Sequence, residues 1–292
     1  MYVVNWLNFN LWKLTHPRRN SQRKDVISFA AKHGLDTTDS DIREITQFLR
    51  KNPIDIFPYS FRSEFFSNIG SAEFDAEKNL HYVDHNGRRL YWQAERKSKR
   101  IPRDYASLLS EQHSQSPHRY LSSEFNVGED DVIADIGCGE ANFTLDVIDR
   151  VRHAYLFESN PQWAKALEAT FEPWRDKVTI IPSMVGSKST HTTVSLDDYF
   201  SDKLPPTFLK LDVEGCEADV LQGCQNIIRN ANTLKAAVCT YHRQEDEEDL
   251  TNLLIELGFG VRPSQGYMLL HRSSDFAEPY FRRGIVRATI HR

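Results

Sequence analysis

VIADIGCGEANF, residues 132–143, runs from a short apolar segment through a glycine-bearing turn into a helical stretch, and that order decides the fold. Five apolar-rich residues bounded by Gly137 and Gly139 suit a buried strand better than a helix, and the two glycines permit a tight turn with close backbone approach. The same alternation continues outward. AYLFE (154–158), VTII (178–181), FLKLDV (208–213) and AAVCTY (236–241) are separated by helical stretches at 141–151, 161–171, 217–230 and 246–257. Strand–helix alternation implies βαβ units, right-handed crossovers and a mostly parallel sheet. VRPSQGYMLLH (261–271) reads as a hairpin turning at Ser264-Gln265-Gly266, which adds an antiparallel C-terminal edge. Ligands of such sheets lie beyond the carboxyl ends of the strands, so those ends are where chemistry is sought.

The first third of the chain is different. Residues 25–32 and 40–51 carry helical periodicity, with Ser40 available as a cap and Pro53 as a stop. LHYVDHNGRRLYW (80–92) alternates about Asn86-Gly87, a strong hairpin signal, and Pro102 opens another helix. The polar run at 114–118 marks a boundary, giving a mainly helical N-terminal region with a β-hairpin over residues 1–115 and an α/β domain over 116–292. With 292 residues, 40% hydrophobic and 26% charged, disorder and fibrous repeats are excluded. A net charge of -5 gives no electrostatic reason for a nucleic-acid partner. Four cysteines without metal spacing, and no apolar run of about 20 residues, point to a reduced, cytoplasmic protein with no transmembrane segment.

Three features carry chemistry. Asp135 stands two residues before Gly137, and Glu158 ends the second strand 23 residues after Asp135, placed to accept from a ribose diol. A dinucleotide fingerprint needs a third glycine at the position held by Asn142, and Asp135 would repel a pyrophosphate. A sulfonium cofactor with a cationic amino-acid tail favours nearby carboxylates, so the pattern points to S-adenosylmethionine over NAD. Gly137, Cys138, Gly139, Ser159, Ser183 and Asp212 complete the expected cofactor contacts. In FLKLDVEGCEADVLQG (208–223), Lys210, Asp212 and Glu214 recur every second residue, so one strand puts them on one side until it ends near Val213, whereas Glu217 and Asp219 read as helix-capping acids. His242 lies just past the fifth strand, beside them.

Together, DVIADIGCGEANFTL, TVSLDDYF (193–200), FLKLDVEGCEADVLQG and AVCTYHRQED (237–246) resemble the FkbM family of S-adenosylmethionine-dependent methyltransferases; SPHRYL (116–121) and PYFRRGIVRA (279–288) are similar to members associated with bacterial polysaccharide genes. The resemblance implies a class I, Rossmann-like methyltransferase sheet and methyl transfer to an oxygen of a sugar or sugar-containing metabolite. Two departures stand out: Ala141 replaces the third glycine of Gly-x-Gly-x-Gly, and the segment between the third strand and SLDD is short.

On this reading His242 is the general base, oriented by Asp212 or Glu214, and Lys210 pairs an acid or steadies the alkoxide. A divalent metal held by Asp212, Glu214 and His242 is the second mechanism. His118, Tyr120 and Arg243 are candidate substrate contacts. Rival functions are an inactive scaffold for a glycan-assembly enzyme and a methyltransferase of a small non-sugar natural product. The N-terminal region is a candidate lid, homo-oligomer contact or partner platform. Its opening aromatics, followed by Lys13, Arg18, Arg19, Arg23 and Lys24 with no intervening acid, suggest peripheral contact with an anionic membrane.

Overall fold

The computed structural model of the chain describes residues 6–67 and 69–292. They group into two compact units. One gathers the described residues before 68 with Leu109–Arg119 and Ser264–Gly284; the other comprises Ile69–Leu108, Tyr120–Pro263 and Ile285–Arg292. The expected boundary at 115/116 falls inside Leu109–Arg119, and the β-hairpin lies in the α/β unit.

The first unit holds helices α1 (Trp6–Thr15), α2 (Pro17–Lys32), α3 (Leu35–Thr38), α4 (Ser40–Lys51) and α5 (Arg62–Ser67). Helix α2 is closed by His33, and Gly34 follows in a left-handed conformation, which glycine adopts readily after a helix end. Helix α4 is capped one residue earlier than the sequence suggested. The Asp39 carboxylate accepts from the Asp41 and Ile42 amides, so Ser40 is already helical. Ile42, Ile45 and Leu49 form its buried stripe. Arg23 is buried too, and its guanidinium donates to the Leu49 carbonyl at 2.6 Å.

The second unit opens with a three-stranded antiparallel sheet of β1 (Glu73–Asp75), β2 (Leu80–His85) and β3 (Arg88–Tyr91), where Asn86 and Gly87 both take positive φ as a type I′ turn demands. Helix α6 (Ile101–Glu111) follows. Then come β4 (Val132–Ile136), α7 (Asn142–Val147), β5 (His153–Phe157), α8 (Ala164–Phe171), β6 (Val178–Ile181), the short parallel pair β7 (Met184–Val185) and β8 (Thr193–Val194), α9 (Leu196–Tyr199), β9 (Phe208–Leu211), α10 (Glu217–Gln222), α11 (Gln225–Asn230), β10 (Thr233–Cys239), α12 (Asp246–Glu256), β11 (Gly260–Pro263) and β12 (Ile285–His291).

The seven-stranded sheet has the order β11-β12-β10-β9-β4-β5-β6. Only β12 runs against its neighbours; β4, β5, β6, β9 and β10 are parallel. Written from the first strand of the sheet, this is 3-2-1-4-5-7-6 with the seventh strand reversed, the class I methyltransferase arrangement the sequence suggested. One detail differs. Strand β11 does not turn back at Ser264-Gln265-Gly266; its antiparallel partner is β12, and residues 264–284 leave the sheet between them. Helix 217–230 is also two helices. At the break, a Cβ on Gly223 would lie 2.1 Å from the Gly186 carbonyl oxygen, so glycine permits a close backbone approach there.

Alternation along the central strands divides two apolar clusters. Ile133, Phe208 and Ala237 face one, with Leu80, Val83 and Leu90 of the small sheet; Ala134, Leu209, Leu211 and Val238 face the other, with Val220, Leu250 and Leu254. Fixing both faces fixes the register, and with it which side chains meet at the strand ends.

Candidate active site

The site is assembled from the carboxyl ends of β4, β5, β9 and β10. Beyond β4 the chain turns through positive φ at Gly137, Gly139 and Ala141. A Cβ on Gly137 would lie 2.0 Å from the Asp212 carbonyl oxygen, so the β4 turn is pressed onto the end of β9. Around Gly139 nothing lies within 4 Å of that position, which leaves open space over the turn. Glu158, half-buried just past β5, accepts from the Gly139 amide at 2.9 Å and the Asn160 amide at 2.7 Å. An open glycine turn with an oriented carboxylate beside it fits a nucleoside with a ribose diol. Cys138 is a buried residue of the same turn, and burial pushes its thiol well up. Ser159 is exposed, and the Ser183 hydroxyl donates to the Met184 carbonyl.

Asp135 does not reach that space. It is fully buried, and the parallel register sets it directly opposite Lys210 on β9. Lys210 Nζ lies 3.1 Å from its carboxylate and donates to the Gly137 carbonyl at 2.6 Å, while the Thr144 hydroxyl donates to its second oxygen at 2.7 Å. Burial alone would lower the lysine pKa, but Asp135 and then Asp212 outweigh it and hold the ammonium above its ordinary value. The expected free carboxylate and the expected alkoxide-steadying lysine therefore neutralise each other inside the sheet.

Strand β9 ends at Leu211, and Asp212 becomes a meeting point. Tyr120 and Tyr241 each donate a phenolic hydrogen to it at 2.9 Å, and His242 Nε2 stands 3.3 Å away. On the other side of the ring, Nδ1 is 3.0 Å from Glu217, which is 1% exposed and also accepts from the Val213 amide. The imidazole thus lies between two carboxylates. Burial pulls its pKa down, yet Asp212 and then Glu217 push it up to about 10, so the ring is a cation near neutral pH. A ring whose two nitrogens both face acids is placed to pair with them, which weighs against the expectation that His242 is the general base.

Glu214 stands further from the ring than Asp212 does. With the strand already ended, it takes φ +53 and its side chain is 95% exposed, 3.9 Å from His242. The carboxylate that converges with Asp212 and His242 is Glu217, whose ligand atom lies within 4.8 Å of theirs. The set read as a metal site, Asp212, Glu214 and His242, is therefore not the set the fold brings together. Arg243 is exposed, and its guanidinium lies over Gly215, Nε 3.2 Å from where a Cβ would stand. His118 belongs to the first unit, buried edge-on to Phe57.

Sequence reasoning missed Glu217, Tyr241 and Glu140. Glu217 was masked by its helix-capping position, and Tyr241 by sitting inside a strand-like run. Glu140 lies within the glycine turn itself, largely enclosed, and burial pushes its carboxyl up. The LDD triplet proves to be a brace: Asp197 accepts from the Asn226 and Ile227 amides at the start of α11, and Asp198 accepts from Ser189 and Ser195.

A model of the family described as Methyltransferase FkbM domain matches residues 107–267. Hexuronic acid methyltransferase AglP of Haloferax volcanii is 26% identical over 174 residues, covering 51% of this chain and 70% of that protein. The crystal structure of Methyltransferase FkbM from Methylobacillus flagellatus KT is 19% identical with a TM-score of 0.46, over 58% of this chain and 46% of that one, so the likeness spans less than half of the larger protein. Magnesium protoporphyrin IX methyltransferase from Synechocystis PCC 6803 is 14% identical with a TM-score of 0.42, over 67% of this chain and 86% of that one.

Proposed function

This chain belongs to the FkbM methyltransferase domain family, and from that premise we propose that it transfers the methyl group of S-adenosylmethionine to an oxygen of a sugar or sugar-containing acceptor. The observation that carries the reading is the open Gly139 turn beside Glu158, facing the Asp212 node across the ends of β4, β5 and β9. The cofactor, when bound, supplies an electrophilic methyl on a cationic sulfur. The protein's own work is alignment, worth roughly 7–11 kcal/mol when two reactants are held in attacking geometry. A sugar hydroxyl also needs a proton acceptor, worth about 10²–10⁴ in rate. We assign that role to Asp212, partly exposed and oriented by Tyr120, Tyr241 and the Glu217–His242 pair. The relative's name as a hexuronic acid methyltransferase supports a sugar acceptor, and bacterial polysaccharide or glycan assembly is the setting proposed for it.

A second acceptor oxygen is favoured by the protonated state of His242. A sugar carboxylate is already ionised at neutral pH and needs no base, and its product is a methyl ester. Incubation with S-adenosylmethionine and a panel of nucleotide sugars and uronic acid glycosides tests both readings. A product 14 mass units heavier that survives mild alkali supports a hydroxyl acceptor, and one that alkali cleaves supports a carboxylate. Asp212→Asn should then abolish turnover of a hydroxyl acceptor at saturating substrate while S-adenosylhomocysteine binding persists. Wild-type turnover in that variant removes the assignment. Failure of the native chain to bind S-adenosylhomocysteine in calorimetry favours the scaffold reading instead, and activity surviving exhaustive EDTA disposes of a divalent metal.

The four cysteines, all among the described residues, are free thiols, which supports the proposed cytoplasmic setting. Among the described residues no helix is long and apolar enough to cross a membrane. Peripheral contact through α1 and α2 stays a proposal, supported by Leu11 and Leu14, exposed by 60% and 80%, beside Lys13, Arg18, Arg19 and Lys24; buried Arg23 drops out of that basic set. Of the opening aromatics, Tyr2 lies outside the described residues, whereas Trp6, Phe9 and Trp12 belong to α1.

A further inference from the structure

A cationic cofactor lying over the β4 turn needs a carboxylate whose charge is still available, and the surrounding acids can be taken one by one. Asp135 is buried against Lys210 and Thr144. Both oxygens of Glu158 accept backbone amides. Asp212 is engaged by two tyrosines and an imidazolium. Asp104, on α6, receives the Arg96 guanidinium. Glu140 is different. Among the described residues it makes no ion pair, and the contact its carboxylate makes is with its own backbone N–H. It stands between Gly139 and Ala141, both in left-handed backbone, and nothing lies within 4 Å of where a Cβ on Gly139 would stand.

Enclosure without a counter-ion is costly for a carboxylate, and burial indeed pushes Glu140 toward its neutral form. A cation delivered to that turn removes the cost. The nearby ammonium of Lys210 offsets that cost only in part, because it is paired with Asp135 and donates to the Gly137 carbonyl. We propose that Glu140 is a cofactor-binding residue that receives the ammonium group of the amino-acid tail of S-adenosylmethionine, taking the role that Asp135 gives up to Lys210. The proposal rests on the reading that the cofactor is S-adenosylmethionine and adds which side chain holds its tail.

Calorimetry on the full chain with two ligands tests it. S-adenosylhomocysteine carries the amino-acid tail; 5′-methylthioadenosine keeps the nucleoside and sulfur without it. Glu140→Gln should weaken S-adenosylhomocysteine roughly tenfold to a hundredfold, the loss of one charge-assisted contact. 5′-Methylthioadenosine should bind the variant within about threefold of the native chain, which also reports that the turn is folded. Equal S-adenosylhomocysteine affinity in the two proteins overturns the assignment, and so does a parallel loss of both ligands, which would mean that Glu140 only shapes the turn. If the native chain binds neither ligand, the cofactor reading itself fails. That outcome is separate from a native chain that binds both and a variant that is unaltered.

Discussion

Removing the Lys210 ammonium tests most directly how the site is held. In Lys210→Met, Asp135 stays at a fully buried position and loses its partner at 3.1 Å. At an effective dielectric near 20, two unit charges at that distance attract by about 5 kcal/mol before desolvation is counted. Stranding one member of a buried pair costs roughly 3–5 kcal/mol. The orphaned Gly137 carbonyl, which accepts from Nζ at 2.6 Å, adds about 1 kcal/mol. A loss near 4 kcal/mol is expected, a large part of the roughly 5–15 kcal/mol that stabilises a folded protein. Asp135→Asn combined with Lys210→Met removes both charges, so it should recover most of the loss. Urea unfolding followed by the fluorescence of Trp92, Trp163 and Trp174 measures the native chain, both single variants and the double variant as one thermodynamic cycle. A cost below about 1 kcal/mol for Lys210→Met, or a double variant no better than the single one, would refute the view that this pair is a closed internal counter-ion.

Four further outcomes follow from the structure. His242 should keep its proton from pH 5.5 to 8.5 in an NMR titration of ring carbon-bound hydrogens; a midpoint near 6.5 contradicts the clamp, and Glu217→Gln should lower the midpoint by roughly two units. Because the folded value is raised, the stability this histidine contributes is complete below about pH 6.5 and is lost as pH climbs toward 10, so the native chain should lose ground against His242→Gln over that interval. Gly137→Ala should cost roughly 3 kcal/mol or more, since it adds a Cβ 2.0 Å from a backbone oxygen at φ +71; a thermal midpoint within 2 °C of native would show that the turn yields freely. Leu11→Asp with Leu14→Asp should abolish flotation of the full chain with anionic vesicles if the N-terminal helices touch membranes, and a native chain that does not float ends that proposal.

Much of the site was legible because strands advertise themselves. Short apolar runs, glycines at the turn and an acid at the next strand end place Gly137, Gly139, Glu158 and Asp212 at one end of the sheet. What periodicity does not carry is which acid faces which base. Lys210, Asp212 and Glu214 share a spacing, yet strand β9 stops at Leu211, and the left-handed backbone at Glu214 turns that side chain out to solvent. Glu217, dismissed as a helix-capping acid, turns inward to His242.

By itself the sequence determined the alternation of elements, the family and the end of the sheet where chemistry gathers, because these depend on local spacing and on short-range turn preferences. Only the tertiary structure decided protonation and partnership. The register of β4 against β9 set Asp135 opposite Lys210, and the meeting of β9 with β10 placed His242 between Asp212 and Glu217. Charge states answer to burial and to neighbours a few ångströms away, and in this chain those neighbours are far apart in sequence, Asp135 and Lys210 by 75 positions and Tyr120 and Asp212 by 92.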